Sequence, residues 1–173
     1  MKVLVTGATG FVGRRLCARL LAGGHAVVAA VRDAGGTARV PAGAESVVVG
    51  DLAGPVDWSG AVRGAECVVH LAARVHVLHE TASDAAERFR RLNVQATTAL
   101  ADAAARAGVR RFVFASSVKA AAEQSASPLR ESDPPGPLDP YGESKLEAER
   151  ALLAAHARGA VEAVIVRPPL VYG

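Results

Sequence analysis

Short apolar segments rich in valine alternate with helical segments along the chain, and this alternation limits the folds that the sequence can adopt. The helical segments repeat their hydrophobic residues with the period of an amphipathic helix. The strand segments carry few polar residues, which is typical of strands that are buried on both faces. Because strands joined through helices run in the same direction, the pattern predicts a parallel sheet with helices on both faces.

The sequence predicts six strands, with glycines and prolines at their ends. The strands are expected at 2–6, 26–31, 46–49, 67–71, 111–115 and 160–166, and the helices at 11–22, near 56–62, at 82–107 and at 140–157. Residues 116–139 are expected to be mostly loop. We therefore predict a doubly wound α/β fold of strand order 3-2-1-4-5-6, with residues 1–173 forming one dinucleotide-binding domain.

Three glycines occupy the turn between the first strand and the first helix. Gly7 permits a tight turn, Gly10 lets the backbone approach a pyrophosphate, and Gly13 lets the helix pack closely on the strand. The helix N-terminus adds amide donors and a positive potential for phosphate. The turn therefore predicts a dinucleotide site rather than a mere tight turn. Its expected contacts are Gly7, Thr9, Gly10, Phe11, Val12 and Gly13.

The end of the second strand is expected to select the cofactor. An NAD site normally has a carboxylate there for the ribose 2′-hydroxyl, whereas arginine accommodates the 2′-phosphate of NADP. This strand ends in Val31, and Arg32 follows at once, which favours NADP over NAD. Asp33 leaves NAD open, because its carboxylate is near enough in sequence to reach the ribose.

A serine, a tyrosine and a lysine form the predicted catalytic group. Tyr141 and Lys145 are one helical turn apart, so they share a face of the last helix. An ammonium beside the phenol favours phenolate and lowers a tyrosine pKa that is normally about 10. Ser117 follows the fifth strand, at the carboxyl edge where such sheets bind ligands, and is expected to hydrogen-bond the oxygen that Tyr141 deprotonates.

Taken with these residues, the sequence resembles the extended short-chain dehydrogenase/reductase family, in particular its NAD(P)-dependent nucleotide-sugar epimerases, dehydratases and reductases. The segments that carry the resemblance run in order from one end of the chain to the other. They are Val5–Gly13, Gly50–Leu52, His70–Ala73, Asn93, Ser116–Ser117, the pair Tyr141 and Lys145, and Arg167–Gly173.

The resemblance implies further cofactor contacts. It places Asp51 and Leu52 at the adenine, and Lys145 on the nicotinamide ribose. It also implies that Asn93 holds the active-site helix through water or backbone. The other implied contacts are Leu71, Ala72 and Ala73 under the ribose and pyrophosphate, Ser116 at the strand end, and Pro168 and Val171 beside the nicotinamide. Most of the substrate-binding C-terminal part of the family is expected to lie outside this chain.

The residues after Ser117 separate the subfamilies. Sugar 4,6-dehydratases of the family carry acids there, whereas this chain has Val118 and Lys119. The resemblance therefore implies a nucleotide-sugar 4-epimerase or a 4-ketoreductase. A cofactor-binding sensor or scaffold without turnover is the alternative of another class. The family further implies a homodimer, through a four-helix bundle formed by 82–107 and 140–157.

Composition and charge exclude several other functions. A net charge of +3 with scattered arginines and only 4% aromatic residues does not favour nucleic-acid binding. No apolar run reaches the length of a membrane span, and no signal peptide is evident, so a cytoplasmic protein is expected. Cys17 and Cys67 are expected to be buried and unpaired. His70, His76 and His79 with Glu80 lack zinc spacing, and we expect no metal site.

Overall fold

The fold is a single parallel sheet, and the computed structural model describes residues 1–75 and 82–172. The sheet has six strands in the order β3-β2-β1-β4-β5-β6, and every neighbouring pair is parallel. The strands are β1 Lys2–Thr6, β2 Ala26–Val31, β3 Glu45–Val48, β4 Cys67–His70, β5 Arg111–Ala115 and β6 Glu162–Val166. The predicted doubly wound fold and its strand order are confirmed.

The helices connect these strands across the two faces. They are α1 Phe11–Ala22, α2 Ala34–Thr37, α3 Ser59–Val62, α4 Ala82–Phe89, α5 Ala96–Arg106 and α6 Pro140–Ala157. Several predicted segments differ from the structure: α2 was not predicted, and the segments expected near 56–62 and at 160–166 begin later, at Ser59 and Glu162. The helix expected over 82–107 is not uniform, because a π-helical segment, Arg90–Gln95, joins α4 to α5. The expected loop after β5 begins with a 3₁₀ turn, Val118–Ala120.

The alternating side chains of each strand enter two separate cores. In β1, Leu4 belongs to the larger core, which α3, α5 and α6 cover, whereas Val3 and Val5 belong to the core beneath α1. Phe112 and Phe114 of β5 fill the larger core and are completely buried. Burial on both faces explains why the strands read as continuous apolar runs.

The turn after β1 is closely packed. Gly7 has a φ of +67°, and a Cβ there would lie 2.8 Å from the backbone nitrogen of Ala72, beyond β4. A Cβ on Gly13 would lie 2.1 Å from the carbonyl oxygen of Gly7. Both positions therefore require glycine, Gly7 for its conformation as well as for space and Gly13 for space alone.

Two expectations from composition can be compared with the fold. Cys17 and Cys67 are both free and buried, as predicted. In the part of the chain that the structure describes, no helix combines the length and apolar character needed to cross a membrane.

We expect Gly13→Ala to lower the free energy of unfolding by about 2 to 3 kcal/mol, because the new methyl group forces α1 away from the Gly7 carbonyl. Urea denaturation followed by circular dichroism measures this change. Gly60→Ala is the matched control, since Gly60 lies in α3 and a Cβ there meets nothing within 4 Å. Equal stability of the two variants would contradict the close packing of α1 on the turn.

Candidate active site

The predicted site residues lie at the carboxyl edge of the sheet. Because all the strands are parallel, the segments that follow them meet at this one edge. The turn after β1 touches the segment after β4, as the crowding of Gly7 by Ala72 shows. The other strand ends at this edge lead to Arg32, Asp51 and Leu52, Leu71–Ala73, Ser116–Ser117 and Pro168–Val171.

The N-terminus of α1 fits a bound phosphate. Its N-cap is Gly10, which provides no side-chain acceptor for the first amides of the helix. The first turn contains no acidic residue, and the Phe11 and Val12 side chains are about half exposed. Neither the N-cap nor the first turn of α1 therefore supplies a carboxylate that would compete for the amide donors and the positive end of the helix dipole.

The end of β2 presents an arginine to solvent. Val31 is 3% exposed, whereas Arg32 is exposed. Asp33 Oδ1 accepts a hydrogen bond of 2.9 Å from the backbone N–H of Gly36 and thereby caps α2. One oxygen of this carboxylate is thus engaged within the chain, while the Arg32 guanidinium faces outward.

The adenine end of the predicted site follows β3 and β4. Gly50 has a φ of +85° and turns the chain after β3. Asp51 Oδ1 accepts from the N–H of Ala53 at 3.0 Å, which fixes the exposed loop beside the half-buried Leu52. Leu71, Ala72 and Ala73 are also half-buried along the same edge.

The structure brings Tyr141 and Ser117 close together. The Ser117 side chain lies near enough to the Tyr141 hydroxyl to lower its pKa, and the Tyr141 ring lies 5.9 Å from that of Phe89. Burial raises the pKa of Tyr141, Ser117 lowers it, Asp139 raises it and Lys119 lowers it. The phenol is thus held against the strand-end serine in a partly desolvated position.

Lys145 is buried one turn behind the tyrosine. Its Nζ donates to the carbonyl oxygen of Ala115 at 2.6 Å and lies 4.0 Å above the centre of the Phe114 ring. Burial lowers the pKa of Lys145 to about 7, against an opposing effect of Glu149. The ammonium therefore loses its proton far more readily than that of an exposed lysine.

A buried chain of hydrogen bonds runs through His70. Thr97 Oγ1 donates to the Asn93 carbonyl at 2.7 Å, so at 3.0 Å it accepts from His70 Nε2–H. Nδ1 of the neutral ring then accepts from Thr6 Oγ1 at 2.6 Å, and that oxygen accepts from the N–H of Ala72 at 3.2 Å. Burial and the charge of Lys145 lower the pKa of His70 to about 3, so the ring stays neutral near pH 7.

Asn93 carries the chain onward to α6. Its side chain accepts from the Arg74 N–H at 2.8 Å and donates to the Arg74 carbonyl at 3.1 Å. Nδ2 also donates to Ser144 Oγ at 2.9 Å. Asn93 thus holds helix α6 directly through its side chain, whereas the resemblance implied a link through water or backbone.

A second buried cluster ties the ends of β5 and β6 to α6. The completely buried Glu149 accepts a short hydrogen bond from Ser116 Oγ. Arg167 donates to the same carboxylate through Nη2 at 2.6 Å and through Nε at 3.0 Å. The Ser116 hydroxyl, predicted at the cofactor, is therefore engaged with Glu149 and leaves Ser117 to face Tyr141.

Several residues of this site were missed by the sequence reasoning. Gly142 was among them, and a Cβ there would lie 2.5 Å from the Lys119 carbonyl oxygen. In the sequence, each of these residues stood out only as a polar residue or a glycine inside a predicted helix or strand. The missed residues are Thr6, Thr97, Gly142, Ser144 and Glu149. His76, His79 and Glu80, weighed above as metal ligands, lie outside the described residues.

Comparison with known proteins extends over the whole chain. A model of the NAD dependent epimerase/dehydratase family matches residues 3–173. UDP-glucose 4-epimerase of Vibrio cholerae is 37% identical over 176 residues, which cover 99% of this chain and 52% of that protein. The chain spans about half the length of the curated relatives it matches.

Two solved structures share the fold closely. MoeE5 in complex with UDP-glucose and NAD superposes with a TM-score of 0.80 at 37% identity, over 95% of this chain and 52% of that one. UDP-glucuronic acid 4-epimerase from Bacillus cereus in complex with NAD gives a TM-score of 0.86 at 26% identity, over 100% of this chain and 57% of that one.

The lowered pKa of Lys145 predicts a pH-dependent stability. Between pH 7, near the folded pKa, and the unfolded value of 10.5, the unfolded chain holds the proton that the folded chain has lost. Stability therefore rises with pH in this range. We expect the free energy of unfolding to increase by about 1 to 2 kcal/mol between pH 7 and pH 8.5 in urea denaturation.

Lys145→Met is the variant that isolates this effect, because it removes the titrating group. The window stops at pH 8.5 because burial raises the pKa of both cysteines, which weakens folding at higher pH. If Lys145→Met shows the same rise as the parent chain, another group is responsible for it.

Proposed function

Because the chain belongs to the NAD dependent epimerase/dehydratase family, we propose that it forms the catalytic half-site of a nucleotide-sugar 4-epimerase that transfers hydride at a sugar carbinol. The observation that carries this proposal is the contact between Tyr141 and Ser117, with Lys145 buried one turn behind them. MoeE5 binds UDP-glucose, and the similar Bacillus cereus protein is a UDP-glucuronic acid 4-epimerase. Both support a UDP-sugar as the substrate class.

The proposed cofactor is a nicotinamide dinucleotide. Its pyrophosphate would be held by the uncapped N-terminus of α1, where no carboxylate competes. The NAD bound in both similar structures supports this class of cofactor. For this chain we propose NADP as the preferred form, because Arg32 is exposed directly after a strand that ends without a carboxylate.

The chain's own residues would handle the proton. Tyr141 takes the proton of the sugar hydroxyl, and Ser117 hydrogen-bonds the same oxygen as charge develops on it. Lys145 anchors the ribose, and its buried charge assists ionisation of the phenol. The nicotinamide, when bound, accepts the hydride from the carbinol carbon and returns it. Return to the opposite face of the sugar gives epimerisation with no net redox change.

A nucleotide-sugar 4-ketoreductase is the second candidate, and Arg32 is the observation that favours it. An epimerase returns its hydride and needs no supply of reduced cofactor, whereas a reductase consumes one for each product. An arginine at the strand end that accommodates the 2′-phosphate of NADPH is therefore consistent with a reductase that consumes NADPH. The non-catalytic sensor or scaffold remains the alternative of another class.

We also propose that the protein is a homodimer and acts in the cytoplasm. The dimer would pair the segment α4–α5 and helix α6 with the same elements of a second copy. Leu153 supports this arrangement, because it is a large apolar side chain of α6 that is 47% exposed. None of the helices among the described residues could cross a membrane, and this finding is compatible with the proposed location.

Arg32→Ala tests the cofactor preference. We expect it to weaken NADPH binding about tenfold or more and to change NADH binding less than about twofold, because the guanidinium meets only the 2′-phosphate. Nicotinamide fluorescence titration measures both affinities. Arg63→Ala is the matched control, since Arg63 is an exposed arginine just before β4, at the opposite edge of the sheet.

Tighter NADH binding in the parent chain, insensitive to Arg32→Ala, would overturn the preference for NADP. It would move recognition of the ribose to Asp33 and favour the epimerase over the reductase. If neither cofactor bound, the proposed dinucleotide site itself would be wrong for this chain.

Tyr141→Phe tests catalysis separately from binding. We expect the reduction of bound oxidised cofactor by UDP-sugars to fall about 100-fold or more, because the proton acceptor is lost. Cofactor affinity should stay within about twofold of the parent value, since the ring and its contact with Phe89 remain. A parent chain that binds cofactor and reduces none of it with any UDP-sugar would favour the sensor or scaffold.

A further inference from the structure

The 3₁₀ turn after Ser117 carries a lysine that is placed between two acids. Lys119 Nζ lies 2.7 Å from Asp139 Oδ2 and 3.0 Å from Glu123 Oε1. The Lys119 side chain is only 36% exposed, and that of Asp139 only 21%. This ion cluster joins the turn after β5 to the first residue before α6, and the proposed function gives it no role.

Asp139 makes two hydrogen bonds at the start of α6. Its Oδ1 accepts from the N–H of Gly142 at 2.6 Å and caps the helix, while its Oδ2 accepts from Lys119. A carboxylate cap stabilises a helix N-terminus. Here the cap lies two residues before Tyr141, and a negative charge so close opposes ionisation of the phenol.

Close packing adds to the electrostatic contact. The Lys119 carbonyl leaves no room for a side chain at Gly142, the residue after Tyr141. The Lys119 N–H donates to Ser117 Oγ at 3.2 Å, so the turn also orients the serine that meets the phenol. The Val118 N–H donates to the Pro168 carbonyl at 3.0 Å and fixes the turn from its other side. A displacement of Lys119 would therefore disturb the contact between Ser117 and Tyr141.

Two further charged groups, Arg74 and Lys145, lie around this region, and each contacts another partner. Phe89 packs on the ring from α4, and the Arg74 guanidinium lies 5.9 Å from the centre of the Phe89 ring. Lys145, on the same face of α6, donates to the Ala115 carbonyl. The charges that act on the phenol through the surrounding turn and cap are those of Asp139 and Lys119, and they act in opposite directions.

We propose that Lys119 is a positioning residue for Tyr141. Its ammonium neutralises the cap carboxylate of Asp139 beside the phenol, and its backbone holds the turn with Ser117 against α6. The proposal rests on the proposed function, in which Tyr141 accepts the proton. It also gives a reason why this chain has Lys119 where the sugar 4,6-dehydratases of the family carry an acid. The carboxylate that caps α6 needs a counter-charge.

The phenol can be observed directly because the chain has only two tyrosines, Tyr141 and Tyr172. Labelling with 3-fluorotyrosine gives two fluorine NMR signals, and Tyr172→Phe assigns them. The fluorinated phenol ionises at lower pH than tyrosine, so its titration midpoint can be measured in the folded protein. This measurement needs neither cofactor nor turnover.

We expect Lys119→Met to raise the titration midpoint of Tyr141 by about half a pH unit, because the Asp139 carboxylate then loses the ammonium that lies 2.7 Å from it. Asp139→Asn, which keeps a good N-cap, should lower the midpoint. The double variant should return to within about 0.2 pH units of the parent, and Lys119→Arg should match the parent. Lys2→Met is the control, since Lys2 pairs with Glu45 at similar exposure, at the opposite edge of the sheet.

An unchanged midpoint in Lys119→Met would overturn the proposal, and so would a double variant that stays as high as Lys119→Met alone. A shift of equal size in Lys2→Met would assign the effect to net charge and would overturn it as well. Failure of the proposed function is seen separately, as a chain that shows these shifts but binds no nicotinamide cofactor.

Discussion

The buried hydrogen-bond chain through His70 is the interaction that joins the two halves of the site. It starts at the Ala72 amide, beside the glycine turn, and ends at Asn93, which binds Ser144 on α6. Each donor has an acceptor only while His70 keeps its proton on Nε2. Because unpaired polar groups are costly in a core, these hydrogen bonds fix the glycine turn and helix α6 relative to each other.

The π-helical segment makes this connection possible. Its wider turn, with the Ala96 N–H bonded to the Arg91 carbonyl, replaces α-helical geometry at Asn93. The Asn93 side chain then meets Arg74 on one side and Ser144 on the other. Such insertions in helices are frequent at functional sites. A regular helix over 82–107 would place residues 93 and 97 differently relative to His70 and Ser144.

Helices α1 and α6 begin and end where the sequence predicted, because glycine or proline marks their ends. The strand order was also predictable, since continuous apolar strands joined through helices leave few topologies. Helix α2 was missed because Gly35 and Gly36 disfavour helix, and the Asp33 cap offsets that only in the folded chain. The π segment and the pairing of Lys119 with Asp139 leave no local spacing signal, because they depend on contacts between distant elements.

Successive residues on one face of α6 contact successive residues at the end of β5. Tyr141, Lys145 and Glu149 follow one another at helical spacing, and they meet the Ser117 hydroxyl, the Ala115 carbonyl and the Ser116 hydroxyl. Arg167 pairs with Glu149 and Lys119 pairs with the cap carboxylate of Asp139. The central lysine has a carbonyl and an aromatic ring as its closest partners, and burial there makes its proton labile. With Glu149 and Asp139 paired, Lys145 is the group on this face whose pKa lies near neutral pH, one helical turn from Tyr141.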